Sequence, residues 1–122
     1  NLHWNVEGLQ FVKIHEFTEE LYDDFFEKYD AVAEMLKMKG ENPLTKLSDY
    51  LQNASIKELD QNKFSCKEVL QILLDYLNEM QRLATDIRNE ADQDGDFEVV
   101  AEFEDHVAGY SKNLWFVKAM LG

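Results

Sequence analysis

The chain contains few residues that interrupt helices and almost none that form disulfides. Its 122 residues include five glycines and one proline, so loop signals are sparse and a helical fold is favoured. Cys66 is the only cysteine, so no internal disulfide can form and nothing indicates an oxidising compartment. No apolar run approaches the length of a membrane span, and no signal peptide is visible. We therefore expect a cytoplasmic protein without membrane contacts.

Basic residues are also scarce. Twelve Lys and Arg stand against 25 Asp and Glu, which gives a formal net charge of −13. This balance argues against a phosphate-binding face, so DNA binding is not expected. It suits a protein that attracts cations. A hydrophobic content of 45% is enough for a core, and the length fits one domain. We predict a single domain over residues 1–122.

The spacing of apolar residues predicts an all-α chain. A long helix is expected near residues 10–39, followed by a short helix over residues 45–51, and by long helices near residues 65–91 and 97–121. In the first of these helices, one apolar stripe consists of Ile14, Phe17, Leu21, Phe25, Val32 and Leu36. A second stripe consists of Tyr22, Phe26 and Ala33, as in a helix that is contacted on two sides. The chain lacks an initial methionine, and its first residues resemble a helix end. We expect an N-terminally truncated four-helix bundle, with the short helix in its crossover connection and its first helix largely missing.

One heptad stripe is predicted for each of the last two helices. In the helix near residues 65–91, the stripe consists of Val69, Leu73, Tyr76, Met80, Leu83 and Ile87. In the final helix, it consists of Val100, Phe103, Val107, Tyr110, Leu114, Val117 and Leu121.

Two histidines and three carboxylates form the main candidate site: His3, His15, Glu19, Asp30 and Glu34. Imidazole and carboxylate are ligands that iron and other first-row metals accept. His15 and Glu19 share a helix face, as do Asp30 and Glu34, because each pair is spaced i,i+4. The pairs lie fifteen residues apart, or about 22 Å along a helix, which one metal centre cannot span. The ligands can meet only if a second, antiparallel copy supplies Asp30 and Glu34. The alternative is a solvated face of an acidic helix.

Three rival metal motifs fail. No glutamate stands three residues before a histidine, as bundle-core di-iron sites require. The segment His15–Glu19 lacks the second histidine of a zinc-protease helix. In the acidic segment of residues 92–96, a calcium loop would need a glutamate where Ala101 stands. We predict that this segment is a helix-breaking turn with an acidic cap on the following helix.

Four further residues receive structural rather than chemical predictions. His106 is expected at the surface and not as a ligand, because nothing near it completes a coordination set. Trp4 and Trp115 are expected in the core or at an interface. Cys66 is expected to be a small buried residue or the start of a helix, without a redox role.

Several segments together resemble the signature of the Dps family of mini-ferritins. They are residues 2–8, 11–16 and 30–34, with residues 43–55 resembling the family's crossover helix and residues 114–119 its last helix. The resemblance implies a ferritin-like bundle whose ferroxidase centre lies at a two-fold interface. His3, His15 and Glu19 would come from one subunit, and Asp30 and Glu34 from its neighbour. Glu19 occupies a position where the family more often has aspartate.

The resemblance also implies a function. The protein would store and detoxify iron, oxidising Fe(II) with hydrogen peroxide and keeping the ferric mineral inside a hollow dodecamer, which protects against oxidative damage. Acidic pores would admit iron, with Asp96, Glu102 and Asp105 as candidates. Separately, because Trp4 neighbours His3 in the sequence, we hypothesise that it quenches oxidants formed at the iron. Three alternatives remain: a DNA-condensing protein, although the usual lysine-rich tail is absent from this sequence; a host-immune-activating protein with little catalytic role; and a helical scaffold without chemistry.

Overall fold

The computed structural model describes residues 1–122, and most of them are helical. The elements in chain order are α1 (Leu2–Asn5), β1 (Val6–Glu7), α2 (Phe11–Met38), α3 (Leu47–Asn53), β2 (Phe64–Ser65), α4 (Cys66–Gln93) and α5 (Phe97–Leu121). The three long helices and the short helix in the connector are thus confirmed. Two compact units divide the chain, Asn1–Cys66 and Lys67–Gly122. None of the helices combines the length and apolar character needed to cross a bilayer.

In the first unit, α2 buries one face. Its buried residues recur at helical spacing: Ile14, Phe17, Thr18, Leu21 and Met35. The helix ends at Met38, and Gly40 follows with φ 83°, a left-handed conformation that favours glycine after a helix. Gly40 N donates to Lys37 O at 3.0 Å, which satisfies one of the last carbonyl groups of α2.

A short parallel pair of strands, which the sequence did not predict, joins the beginning of the chain to the end of the connector. Val6 lies opposite Phe64, and Glu7 lies opposite Ser65. Val6 is 2% exposed and Phe64 is fully buried, so the pair also closes a piece of the core. The Lys63 ammonium lies 3.1 Å from the Glu7 carboxylate, which adds a surface ion pair at the same place.

Two further contacts hold the junction between the beginning of the chain and the end of the connector. Asn1 Nδ2 donates to Leu59 O and to Gln61 O, at 3.2 and 3.0 Å. Gly8 follows β1 with φ 135°, and a Cβ at this position would lie 2.9 Å from Cys66 Sγ. Only glycine fits this close approach without displacing its neighbour. The junction therefore fixes α1, which carries His3, to the segment that precedes α4.

In the second unit, α4 and α5 run antiparallel. Gln81 Nε2 donates to Val107 O at 3.1 Å and to Ser111 Oγ at 2.7 Å. Further along α4, Arg88 Nε donates to Glu104 Oε1 at 3.0 Å. As the residue number rises along α4, the residue number of its partner in α5 falls, so the two helices run in opposite directions.

The buried stripe of α4 differs in part from the predicted heptad. Val69 and Leu73 are buried as predicted, whereas Tyr76, Met80 and Leu83 are half-buried and Ile87 is 39% exposed. The most regular buried stripe also repeats every seven residues, but it lies one residue further along the helix, through Leu70, Leu77, Ala84 and Ala91. Two of these are alanines, whose small side chains give a weak hydrophobic signal in sequence but allow close helix packing. In α5, Phe103, Tyr110, Leu114 and Val117 are buried as predicted.

The acidic turn between these helices is confirmed. Gly95 adopts φ 69°, and its backbone N–H donates to Asp92 O at 3.1 Å. Asp96 is the N-cap of α5, and its carboxylate accepts a hydrogen bond from Val99 N. An acidic cap satisfies an N–H group that has no partner within the helix, and it complements the positive end of the helix dipole.

Candidate metal centre

His3 on α1 and His15 on α2 form a stacked pair. Their ring centroids are 3.8 Å apart and their planes meet at 20°. His3 Nδ1 lies 2.9 Å from His15 O, and His15 Nδ1 lies 2.9 Å from His3 O. A carbonyl oxygen can only accept, so each Nδ1 must carry the hydrogen. In the neutral ring, the lone pair is then on Nε2, the atom left to bind a metal.

The elements that carry the two rings explain their proximity. His15 lies in the second turn of α2, a helix of 28 residues. His3 lies on the four-residue α1, which the strand pair fixes beside the start of α2. Both residues are half-buried, so each is partly shielded from solvent and partly accessible to it.

Glu19 and Tyr22 extend this pair along α2. Glu19 is exposed one turn after His15, and the Tyr22 hydroxyl lies 3.5 Å from Glu19 Oε1. The edge of the Tyr22 ring meets the His3 ring, with centroids 5.2 Å apart and planes at 85°. Partial desolvation, followed by the negative charges of Glu19 and Asp23, raises the pKa of Tyr22. Its phenol therefore stays protonated and donates to the carboxylate. Tyr22 was predicted only as part of an apolar stripe.

Asp30 and Glu34 lie elsewhere on α2. Both are exposed, and each is fifteen residues from its counterpart in the first pair, about 22 Å along the helix axis. No group of three or more His, Cys, Asp or Glu side chains within this chain is arranged to hold a metal ion. A single chain thus brings His3 and His15 together, and it leaves Asp30 and Glu34 apart from them.

An exposed aromatic stripe runs along α2 beside the carboxylates. Tyr22, Phe26 and Tyr29 are 49%, 69% and 52% exposed, and their spacing of three or four residues places them on one face. Tyr29 also reaches α3, since its hydroxyl lies 2.8 Å from that of Tyr50. This hydrogen bond, followed by desolvation, raises the pKa of Tyr50. Tyr22 and Phe26 belong to the stripe that was predicted to be contacted, and within this chain both remain exposed.

The predicted pore residues are all on α5 or at its start. The Asp96 side chain caps the helix. Glu102 Oε1 lies 3.0 Å from His106 Nε2. Asp105 is exposed. Two of these carboxylates therefore have a structural role within the chain, whether or not they also line a pore.

The surface location predicted for His106 is wrong. The residue is 4% exposed and packs against Phe103, with ring centroids 4.7 Å apart. It stands three residues after Phe103 and four before Tyr110, so it occupies a core position of α5. Its polarity is tolerated there because Glu102, one turn earlier, binds its Nε2.

The two tryptophans are not part of the core of this chain, because Trp4 is 80% exposed and Trp115 is 65% exposed. Their alternative prediction as interface residues stays a prediction. Cys66 is the first residue of α4, as predicted, and is half-buried. Its thiol donates to Glu7 O at 3.3 Å.

Comparison with known proteins shows related sequences and folds. A family model described as a ferritin-like domain matches residues 1–122. A DNA protection during starvation protein from Helicobacter pylori is 31% identical over 121 residues, which cover 99% of this chain and 84% of that protein. The crystal structure of CAIP from Helicobacter cinaedi superposes with a TM-score of 0.96 at 36% identity, covering 99% of this chain and 85% of the other.

A third relative belongs to a superfamily that is described by its metal chemistry. The Dps protein of Vibrio cholerae O1, described as a member of a broad superfamily of ferritin-like diiron-carboxylate proteins, has a TM-score of 0.92 and 30% identity. The superposition covers 98% of this chain and 75% of that one. The predicted all-α, ferritin-like fold is confirmed by these matches. They extend over nearly the whole chain in both sequence and structure, and the chain therefore belongs to the Dps family of ferritin-like proteins.

Proposed function

We propose that this protein binds Fe(II) as a substrate, oxidises it with hydrogen peroxide and stores the ferric product inside a hollow homo-oligomer, a dodecamer as the family resemblance implies. Membership of a superfamily described as diiron-carboxylate proteins supports a role in iron chemistry. The H. pylori relative is named for protection during starvation, which suits a protein that removes Fe(II) and peroxide together. The observation that carries the proposal is the His3–His15 pair, because both Nδ1 atoms bind carbonyl oxygens and both Nε2 atoms are left for iron.

A second copy of the chain would complete the site. If a two-fold axis crosses α2 between Asp24 and Phe25, the antiparallel copy of α2 places Glu34 opposite His15 and Asp30 opposite Glu19. One axis thus matches both pairs at once, because the two pairs have the same i,i+4 spacing. His3, His15 and Glu19 of one copy would hold iron, and Asp30 and Glu34 of the other would bind and bridge it.

The exposed aromatic stripe supports this pairing. Phe26 lies within two residues of the proposed axis, and Tyr22 and Tyr29 lie on either side of it. Large apolar side chains that are contiguous and exposed mark surfaces where another molecule binds. In the proposed dimer, the stripe would be buried beside the metal centre and would exclude water from it.

The chemistry follows from the electron count. Hydrogen peroxide needs two electrons and two protons to become two molecules of water, and two Fe(II) ions supply the electrons as they become Fe(III). When the electrons arrive in pairs, the O–O bond breaks without releasing hydroxyl radical. Carboxylates favour Fe(III), and imidazoles complete the ligand set. Hydrolysis of Fe(III) would then give the stored mineral.

Other acidic residues would assist the uptake of iron. A net charge of −13 attracts cations to the protein, and we propose that Asp96, Glu102 and Asp105 line the route inward. Trp4 would protect the chain by reducing oxidants that form at the site, since it is adjacent to His3 in sequence.

The test is anaerobic loading with Fe(II), followed by hydrogen peroxide, with ferric absorbance as the measurement. The parent should oxidise iron rapidly, and an Asp30→Asn/Glu34→Gln variant should lose this phase. A matched control is Asp75→Asn/Glu90→Gln, which removes the same charge from exposed positions of α4. Equal oxidation rates in the parent and the Asp30/Glu34 variant would refute the proposed ligands. Equal losses in both variants would show that charge alone matters.

A DNA-binding function has support only from the name of the relatives. The net charge of −13 opposes contact with a polyanion. A gel-shift experiment at low salt, where electrostatic binding is strongest, decides the point. We expect no shift, and a shift that disappears as salt is added would establish direct DNA binding.

A further inference from the structure

We propose that Thr18 is a positioning residue of the iron site, whose buried hydroxyl orients the His3 ring so that Nε2 faces the metal. This inference rests on the proposed function of the His3–His15 pair. It concerns a residue that would not itself touch iron. Thr18 lies on the inner face of α2, one turn after Ile14 and three residues after His15.

Three polar atoms lie within hydrogen-bond distance of the Thr18 hydroxyl. Its oxygen lies 2.8 Å from Ile14 O, 3.0 Å from His15 O and 3.0 Å from His3 Nδ1. The hydroxyl has one hydrogen, which the shortest distance assigns to Ile14 O. Its lone pair then faces His3 Nδ1, which must itself carry a hydrogen because it also lies 2.9 Å from His15 O. Thr18 and His15 O therefore share the Nδ1 hydrogen of His3.

The opposite tautomer is disfavoured by the same contacts. If Nδ1 carried the lone pair, it would face the carbonyl oxygen of His15 at 2.9 Å, with no hydrogen between them. The carbonyl oxygen of His15 thus requires hydrogen on Nδ1, and the Thr18 hydroxyl, whose own hydrogen is donated to Ile14 O, accepts from the same atom. They leave Nε2 as the only ring nitrogen of neutral His3 that can bind iron.

Burial indicates that the hydroxyl has a specific use. Thr18 is 5% exposed and stands in an otherwise apolar stripe, where valine would fill the same volume without a polar atom. A threonine whose hydroxyl bonds back to the preceding turn slightly destabilises a helix and often bends it. Valine would lose the bond to Ile14 O within the helix and the contact with His3, and only the contact with His3 reaches another element.

His3 needs this support more than His15 does. A four-residue helix has little stability of its own, so α1 alone cannot fix a ring. His15 is instead part of a long helix, where its backbone is fixed by the regular hydrogen bonds. Partners that orient a metal-binding histidine commonly change metal affinity by about 10- to 100-fold when they are removed.

The experiment uses Co(II) as a probe, bound without oxygen to the full-length protein and followed by its visible absorption bands. Thr18→Val removes the hydroxyl and keeps the shape of the side chain, whereas Thr18→Ser keeps the hydroxyl and loses a methyl group. We expect Thr18→Val to weaken Co(II) binding by about tenfold and to shift the bands. Thr18→Ser should keep both the affinity and the band positions, even though it loses packing in the core.

The variants separate the possible outcomes. Parental affinity and bands in Thr18→Val would overturn the inference. A weaker affinity in Thr18→Ser, equal to that in Thr18→Val, would also overturn it, because packing alone would then be responsible. His15→Ala controls for the site itself: if it leaves Co(II) binding unchanged, the proposed function fails together with this inference. If it abolishes binding and Thr18→Val does not weaken it, only the role of Thr18 fails.

Discussion

His3 and His15 each donate Nδ1–H to the backbone carbonyl oxygen of the other, at 2.9 Å in both directions. The same two side chains therefore fasten α1 to α2 and leave their Nε2 atoms outside these hydrogen bonds. Fold and site are coupled here, since a change that displaces α1 also displaces one of the two proposed imidazole ligands. This coupling makes it necessary to separate loss of ligand from loss of structure in any test of the site.

Mixing two inactive variants separates the loss of a ligand from the loss of structure. His15→Ala removes an imidazole, and Asp30→Ala/Glu34→Ala removes the carboxylates. In a two-fold dimer that contains one copy of each, one site lacks His15 together with Asp30 and Glu34, and the other site has all of its ligands. Random mixing during coexpression should therefore restore about a quarter of the parental rate of iron oxidation.

The control is a mixture of the purified variants that cannot exchange subunits, which should stay inactive. If the coexpressed mixture also stays inactive, the carboxylates act within their own chain, which would contradict the shared site. Full activity of the Asp30→Ala/Glu34→Ala variant by itself would show that these carboxylates have no role in oxidation.

The contact between Tyr22 and Glu19 predicts a change in titration. The charge of Glu19 is one of the causes that raise the Tyr22 pKa, after desolvation, so Glu19→Gln should lower the Tyr22 pKa. The phenolate difference spectrum of the parent against Tyr22→Phe isolates this group. Because the pKa is raised by folding, the associated stability is present below the unfolded value of about 10 and is lost as the pH rises through the folded value. An unchanged Tyr22 pKa in Glu19→Gln would mean that the two groups are not neighbours in solution.

Gly8 predicts a clear effect on stability. An alanine would have to adopt φ 135°, and its Cβ would lie 2.9 Å from Cys66 Sγ. We expect Gly8→Ala to lower the free energy of unfolding by about 1–3 kcal/mol, as measured with urea at fixed protein concentration. Adding Cys66→Ala should recover only part of the loss, because it removes the contact and not the backbone strain.

A matched control for Gly8 is Gly109→Ala in α5. A Cβ at Gly109 would meet nothing within 4 Å, so this change should stabilise the protein by about 0.4–1 kcal/mol. Destabilisation by both changes to a similar extent would show that the junction between Gly8 and Cys66 has no special role.

The sequence predicted those parts of the fold in which an apolar pattern repeats over several helical turns. The helices α2, α4 and α5 were placed to within a few residues because each repeats its apolar pattern over several turns. The pairing of β1 with β2 was not predicted, because two residues are too few to show alternation and Val6 and Phe64 are far apart in the chain. His106 was misplaced because a polar residue counts against a core position, although its partner Glu102 was visible at the i,i+4 spacing.

The candidate site was also predicted in part. The shared helix faces follow from helical spacing, which one sequence is enough to show. The reciprocal bonds between His3 and His15 depend on how α1 lies against α2, and no local pattern specifies that. The same holds for Thr18, which reads as an ordinary core residue until its distance from His3 is known.

Asp96 allows the roles of cap and pore to be separated. Asp96→Ala removes the acceptor for Val99 N and should lower the free energy of unfolding by about 1 kcal/mol. Asp96→Asn keeps the cap and removes the charge, so the free energy of unfolding should stay near the parental value. If Asp96 lines the route of iron, Asp96→Asn should slow iron uptake at unchanged stability. Asp94→Asn is the control, and equal uptake in the parent and both variants would exclude a pore role for these charges.

The contact between half-buried Glu102 and buried His106 provides the last test. Glu102→Ala leaves the Nε2 atom of a residue that is 4% exposed without its partner, and should lower the free energy of unfolding by about 1–3 kcal/mol. Glu102→Gln keeps an acceptor and should be milder. The double change Glu102→Ala/His106→Phe removes both polar groups, so it should recover most of the loss. Urea unfolding of all three variants checks the order. If Glu102→Ala matched the parent in stability, water would be satisfying His106, and Glu102 would have no structural role.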